Sequence, residues 1–252
     1  MAFLFGEIVY RPIYNFLIFT YNIIPFHDFG MAIIIVTLIL KFLLIPLSKK
    51  QIQSQKKMQE IQPKIKEIQE KYKNDKEKQS RALMEFYKIN KTNPFSGCLP
   101  TIFQLIFLIT IYQVLFNISK AGLLADANQL YSFISNPGQI NQYFLGIVDL
   151  SKTIHLNELS IKVVPQIILI VMAALAQYFQ IKMMTIKTVS QSKNSEPDMS
   201  QIMSKQMMYL GPLLTLFIGF KFPSGLALYW LVSTVFAIIQ QIKVLEKEKT
   251  NS

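Results

Sequence analysis

Apolar residues along this chain gather into long runs, and the polar residues fall mainly between them. Five runs are long enough, or nearly so, to cross a hydrocarbon core of ~30 Å. They extend from Phe29 to Leu47, Cys98 to Phe116, Ile161 to Ile181, Met203 to Phe220 and Leu226 to Ile242. Each predicts a helix, because a helix satisfies its own backbone polar groups within lipid. A sixth run, Pro12 to Phe26, is short and interrupted by Tyr14, Asn15, Tyr21 and Asn22. Its aromatics predict an interfacial helix within an N-terminal segment, residues 1–28, with a true span as the weaker alternative. The fold class expected is an all-α polytopic membrane protein.

Between the first two runs the periodicity changes. Residues 49–93 are dense in Gln, Glu and Lys, which are good helix formers. Ile61, Ile65, Ile68 and Tyr72 recur at helical spacing and make a narrow apolar stripe. Lys73-Asn74-Asp75 reads as a turn, and a second helix carrying Leu83, Phe86 and Tyr87 on one side ends near Asn93-Pro94. The two predict an antiparallel helical hairpin over residues 48–93, with Pro63 bending its first helix.

Composition agrees with the pattern. Of 252 residues, 51% are hydrophobic and only 16% charged, against about one quarter charged in soluble domains. Nineteen Phe and eleven Met suit a lipid-facing or adaptable apolar surface.

The charge map orients the spans. Residues 48–93 hold thirteen Lys or Arg against six acids, a net +7. Residues 182–205 are +2 and the 243–252 tail is +1, whereas residues 1–28 and 117–160 are each −1. One orientation fits: the N-terminus and the 117–160 segment outside, the hairpin, the 182–205 loop and the C-terminus in the cytoplasm. Five crossings reconcile the two ends.

A formal charge of +11 raises nucleic acid as a partner. Its confinement to segments between apolar runs, without a zinc or single-strand-binding motif, argues against direct sequence-specific binding. Anionic lipid is the better partner, at ~1 kcal/mol for each basic residue near the surface. The hairpin is then either a solvated, charge-rich connector or an arm that touches lipid, a ribosome or an incoming chain. Cys98 is the single cysteine, so no intramolecular disulfide forms. His27 and His155 are far apart in external segments. No HExxH, GxSxG or phosphate-binding glycine loop occurs. The chain is expected to be no enzyme and to need no cofactor or metal. No cleavable signal or lipid-attachment cysteine is evident in the first residues.

One residue breaks the apolar pattern. Lys41 lies within TLILKFLLIPLSKK, residues 37–50, seven residues before Ser48 and ~10 Å deeper along a helix. Thr37 shares its face at i−4. Snorkelling toward the cytoplasm is one reading. A polar cavity is the other, because a lysine at that depth is costly and no Asp or Glu occurs in any of the five runs. The available partners are hydroxyls and amides, including Gln104, Gln113, Gln166, Gln177, Gln180, Ser233, Thr234, Gln240 and Gln241. Any single glutamine among them is as readily explained by interhelical hydrogen bonding. Pro46 frees the carbonyl of Phe42 and favours a bend there.

Several segments, in this order, resemble the YidC-type (Oxa and Alb superfamily) membrane protein insertases. They are AIIIVTLILKFLLIPLSKKQIQSQKKMQEIQPKIKEIQEKYKND, NPFSGCLPTIFQ, QYFQIKMM and FPSGLALYWLVSTVFAIIQQ, which together cover roughly residues 29–242. The resemblance implies a five-span core around a hydrophilic groove open to the cytoplasm and lipid. It implies that Thr37, Lys41 and Gln177 line the groove and that Tyr229 and Trp230 meet the substrate helix. It also makes the hairpin a mobile arm. The implied activity is insertion and chaperoning of nascent membrane proteins in a bacterial plasma membrane, alone or with the Sec translocon. Ribosomes and signal recognition components are further implied partners. The chain departs from the pattern in having Lys41 where arginine is usual, Thr234 where asparagine is expected, and no proline just after Gln104. The 28 residues before the first run lead to the expectation of a short form without a large extracytoplasmic domain.

The competing function is a small transporter or channel subunit that uses Lys41 to attract an anionic solute. The absence of an internal repeat weighs against it. A structural scaffold is the third class, and its polar cavity would be dispensable.

Overall fold

The structure, a computed structural model, describes residues 2–92, 99–154, 160–184 and 199–250. Cys98, His155 and most of the expected 182–205 loop lie outside the described residues. Helices dominate. The order is α1 (Ala2–Phe5), a π-helical turn (Gly6–Tyr10), α2 (Arg11–Ile23), α3 (Phe29–Leu43), α4 (Ile45–Glu60), α5 (Gln62–Lys71), α6 (Lys76–Ile89), α7 (Leu99–Lys120), α8 (Val164–Met184), α9 (Met199–Lys221) and α10 (Ser224–Thr250). Strands β1 (Tyr143–Phe144) and β2 (Val148–Asp149) pair antiparallel, Tyr143 opposite Asp149. This small hairpin and a single antiparallel bridge between Leu124 and Gln139 depart from an all-α fold among the described residues.

Among those residues, Ile161–Met183 and Ser224–Glu246 are long and apolar enough to span a bilayer. Phe29–Leu43 with Ile45–Glu60 makes a third candidate, bent by 66°, and Gln104–Lys120 and Met208–Lys221 are shorter apolar helices. The first span, expected to run to Leu47, breaks at Leu44 instead. Pro46 at the second position of α4 has no N–H to give the turn below, so the helix restarts in a new direction.

α10 packs against α3, α7 and α8, and α9 packs on α8. Gly219 lets α9 approach Ile170 of α8 closely; a Cβ there would collide with that side chain. Leu169, Ile170, Leu226 and Leu228 are buried, whereas Leu175, Phe179, Leu213 and Phe217 face outward. Apolar residues on both faces suit helices whose outer solvent is lipid.

The polar residues that interrupt the N-terminal run face protein. Tyr14 and Asn15 are buried. The Tyr14 hydroxyl accepts from the Asp126 N–H at 2.7 Å, and the Tyr21 hydroxyl from the Asn141 N–H at 2.8 Å. Asn15 donates to the Gln129 carbonyl and accepts from the Tyr131 N–H, both at 2.7 Å. Burial pushes the Tyr14 phenol up to about 12, against the opposing pull of the Asp126 N–H. α2 thus holds the 121–142 segment by its backbone, where sequence pattern alone suggested an interfacial surface. Gly30 allows Phe144 of β1 to lie on α3 without a Cβ between them.

The basic segment forms α4, α5 and α6. The first helix breaks at Ile61, with Pro63 at the second position of α5. Residues 72–74 form the turn, and the Asp75 carboxylate caps α6 by accepting from the Lys78 N–H at 3.0 Å. α6 stops at Ile89, earlier than the expected Asn93-Pro94, because Asn90 Nδ2 binds the Phe86 carbonyl at 2.8 Å and Lys91 turns left-handed (φ 48°). α5 contacts α6. Ile65 is buried, while Ile61, Ile68, Tyr72, Leu83, Phe86 and Tyr87 are half-buried.

Candidate functional site

Lys41 sits one turn before the Leu44 break and extends its ammonium toward α7. Nζ donates to Gln104 Oε1 at 2.7 Å, and Ser233 Oγ of α10 donates to the same oxygen at 3.0 Å. Both lone pairs of that amide oxygen are thereby used. Lys41 forms no ion pair among the described residues.

These groups open onto a cavity of about 260 Å³. Its polar lining comes from five helices: Lys41 of α3, Ser48 of α4, Gln104 of α7, Gln177 and Gln180 of α8, and Ser233, Thr234 and Gln240 of α10. Leu44, Leu105, Phe107 and Trp230 are among the apolar residues between them. Ser48 and Gln240 form a second polar join, with Gln240 Nε2 donating to Ser48 Oγ at 2.7 Å and to the Ile45 carbonyl at 3.3 Å. It ties the first turn of α4 to α10.

The expected groove residues separate into two groups. Lys41, Gln177 and Trp230 line the cavity. Gln177 is held by Thr215 of α9, whose hydroxyl donates to its Oε1. Thr37 and Tyr229 are buried and off the lining, and the Thr37 hydroxyl is spent on the Ile33 carbonyl at 2.6 Å. None of the arm residues Ile61, Pro63, Ile65, Ile68, Tyr72, Leu83, Phe86 and Tyr87 lines it. In the sequence Gln104, Ser233 and Gln240 stand out only as polar residues within apolar runs, and Ser48 only as the residue just past the first run. The missing signal was rotational: composition shows that Lys41 needs amide and hydroxyl partners, but not which helix faces bring them.

Among the described residues, no Asp or Glu lines the cavity and no cluster of His, Cys, Asp or Glu could hold a metal ion. The site is a cation held by neutral dipoles between apolar helices. Such a centre attracts an anion by charge. It offers neither a nucleophile with a base nor a paired acid.

The helices and their enclosed lysine define a mostly helical, multi-pass membrane protein. The sequence model of the 60Kd inner membrane protein family matches residues 19–251, and the chain belongs to that family. It is similar to the membrane protein insertase YidC of Fusobacterium nucleatum, 32% identical over 242 residues, which are 95% of this chain and 98% of that one. It is 34% identical over 229 residues to the protein of that name from Streptomyces avermitilis, and 34% over 232 residues to that from Geotalea uraniireducens. These alignments take 88% and 92% of this chain but only 52% and 36% of the two relatives. The expected membership in the YidC-type family is borne out, as is the bacterial inner-membrane setting that goes with it.

Proposed function

We propose that the protein is a membrane protein insertase and chaperone whose Lys41 cavity receives the hydrophilic part of a nascent membrane protein and releases its apolar segment into the bilayer. The observation that carries this reading is the Lys41 ammonium, held by Gln104 in a cavity that no Asp or Glu among the described residues lines. A transient acidic or polar guest then competes only with a neutral amide. Kinship with proteins named as insertases supports the same conclusion.

In this reading five helices cross the membrane, with the N-terminus outside and the C-terminus in the cytoplasm. The α4–α6 hairpin is a cytoplasmic arm whose basic surface meets anionic lipid and ribosome-borne chains. The protein works alone or beside the Sec translocon. Apolar burial, ~0.8 kcal/mol per methylene, supplies the drive in place of a bound nucleotide.

Reconstitution in proteoliposomes with a small single-span substrate tests it. Protease protection of the substrate's translocated end is expected only when this protein is present. Equal protection in empty liposomes, or anion flux without insertion, would overturn the proposal.

A further inference from the structure

A second, larger cavity of about 1170 Å³ lies at the other ends of the helices. On α7 it is lined by Phe116, twelve residues beyond Gln104 and so ~18 Å away along the axis. Lys152, Lys162 and Lys221 all line it. Lys152 lies 3.5 Å from the buried Asp149 carboxylate, which also accepts from Gln142 Nε2 at 3.1 Å and Ser151 Oγ at 2.8 Å. Lys162 and Lys221 have no ion-pair partner among the described residues. Among the described lining residues, three lysines thus stand against one acid.

Gln166 gives the site its second feature. It is only 5% exposed, and its Nε2 donates to the Asp149 carbonyl at 3.2 Å. Its Oε1 is buried with no hydrogen-bond partner among the described residues. A buried acceptor left bare is costly, so it calls for a donor brought from outside. Tyr112, Phe116 and Phe222 form an apolar wall, and the exposed Ile147 and Ile161 stand at the rim.

We propose that this cavity binds the headgroup of an anionic phospholipid carrying hydroxyls, of the phosphatidylglycerol class. The phosphodiester lies between Lys162 and Lys221, a headgroup hydroxyl donates to Gln166 Oε1, and the acyl chains leave past Ile147 and Ile161. A free phosphate would use the lysines but not the apolar wall. A zwitterionic headgroup would leave the excess charge uncompensated. The site is separate from the Lys41 cavity and does not depend on the insertase reading.

Native mass spectrometry of the purified full chain tests the assignment, with phosphatidylglycerol, phosphatidic acid and phosphatidylcholine offered in turn. Wild type should retain phosphatidylglycerol over phosphatidylcholine. The Lys162→Gln/Lys221→Gln variant should lose about tenfold or more in that retention, from two surface charges, while Lys243→Gln should not. Gln166→Leu should weaken retention of phosphatidylglycerol and of phosphatidic acid, whose partly protonated phosphate also carries a hydroxyl, and leave phosphatidylcholine unchanged. Equal retention by wild type and the double variant would overturn the proposal, as would displacement of the lipid by soluble glycerol phosphate at matched concentration.

Discussion

At Lys41 a single ammonium is kept in a mostly apolar setting by one amide oxygen. Replacing it with alanine removes the charge and returns one lone pair of Gln104, whereas arginine keeps the charge and adds a planar fork. A hydrogen bond to a charged group contributes ~1.5–3 kcal/mol, so losing it should slow insertion of substrates with acidic translocated tails by about tenfold or more. Lys41→Arg should retain most of the activity. Initial insertion rates in the proteoliposome system decide this, and equal rates for all three proteins would sink the charge-reception idea. Residue identity alone exposed Lys41, because a lysine in an apolar run is conspicuous. It did not expose Gln104, since an amide in a membrane helix has many ordinary uses.

Helix α2 illustrates what a pattern reveals and what it hides. Its existence and length followed from the apolar run, but Tyr14, Asn15 and Tyr21 looked like interface residues. Their real partners are backbone groups more than a hundred residues away, a distance over which periodicity carries no information. Tyr14→Phe should leave the Asp126 N–H bare, a cost of ~1–3 kcal/mol, and hydrogen exchange should then speed up across residues 123–131 with little change in α8. The same segment should loosen at high pH. The folded phenol's value of about 12 exceeds the ordinary ~10, so its contribution is whole below about 10 and is lost as pH rises through 12. Protection that is flat up to that range and falls beyond it would match; a fall through neutral pH would not.

Across the whole molecule, the run lengths predicted five apolar helices and the charge map predicted their orientation. The break at Leu44 follows from Pro46, which the sequence marks as a bend, whereas the stop of α6 at Ile89 is set by local hydrogen bonds that a hydropathy pattern averages away. The packing order around α10 is likewise a tertiary outcome. If α10 presents Trp230 to an incoming segment, a photo-crosslinker there should capture a nascent span during insertion. One at the outward-facing Phe217 serves as the lipid-facing control. Capture of lipid alone at both positions would count against the cavity as an entry point.

The Gln104 oxygen has a mechanical side as well as a chemical one. Three helices meet at a single atom, α3 through Lys41, α7 through Gln104 itself and α10 through Ser233. A guest that draws the ammonium away loosens only one strand of this knot. α7 and α10 stay joined, and the slack appears between α3 and the other two. On the proposed function, the place where the bundle gives way would thus be chosen by the visitor's charge.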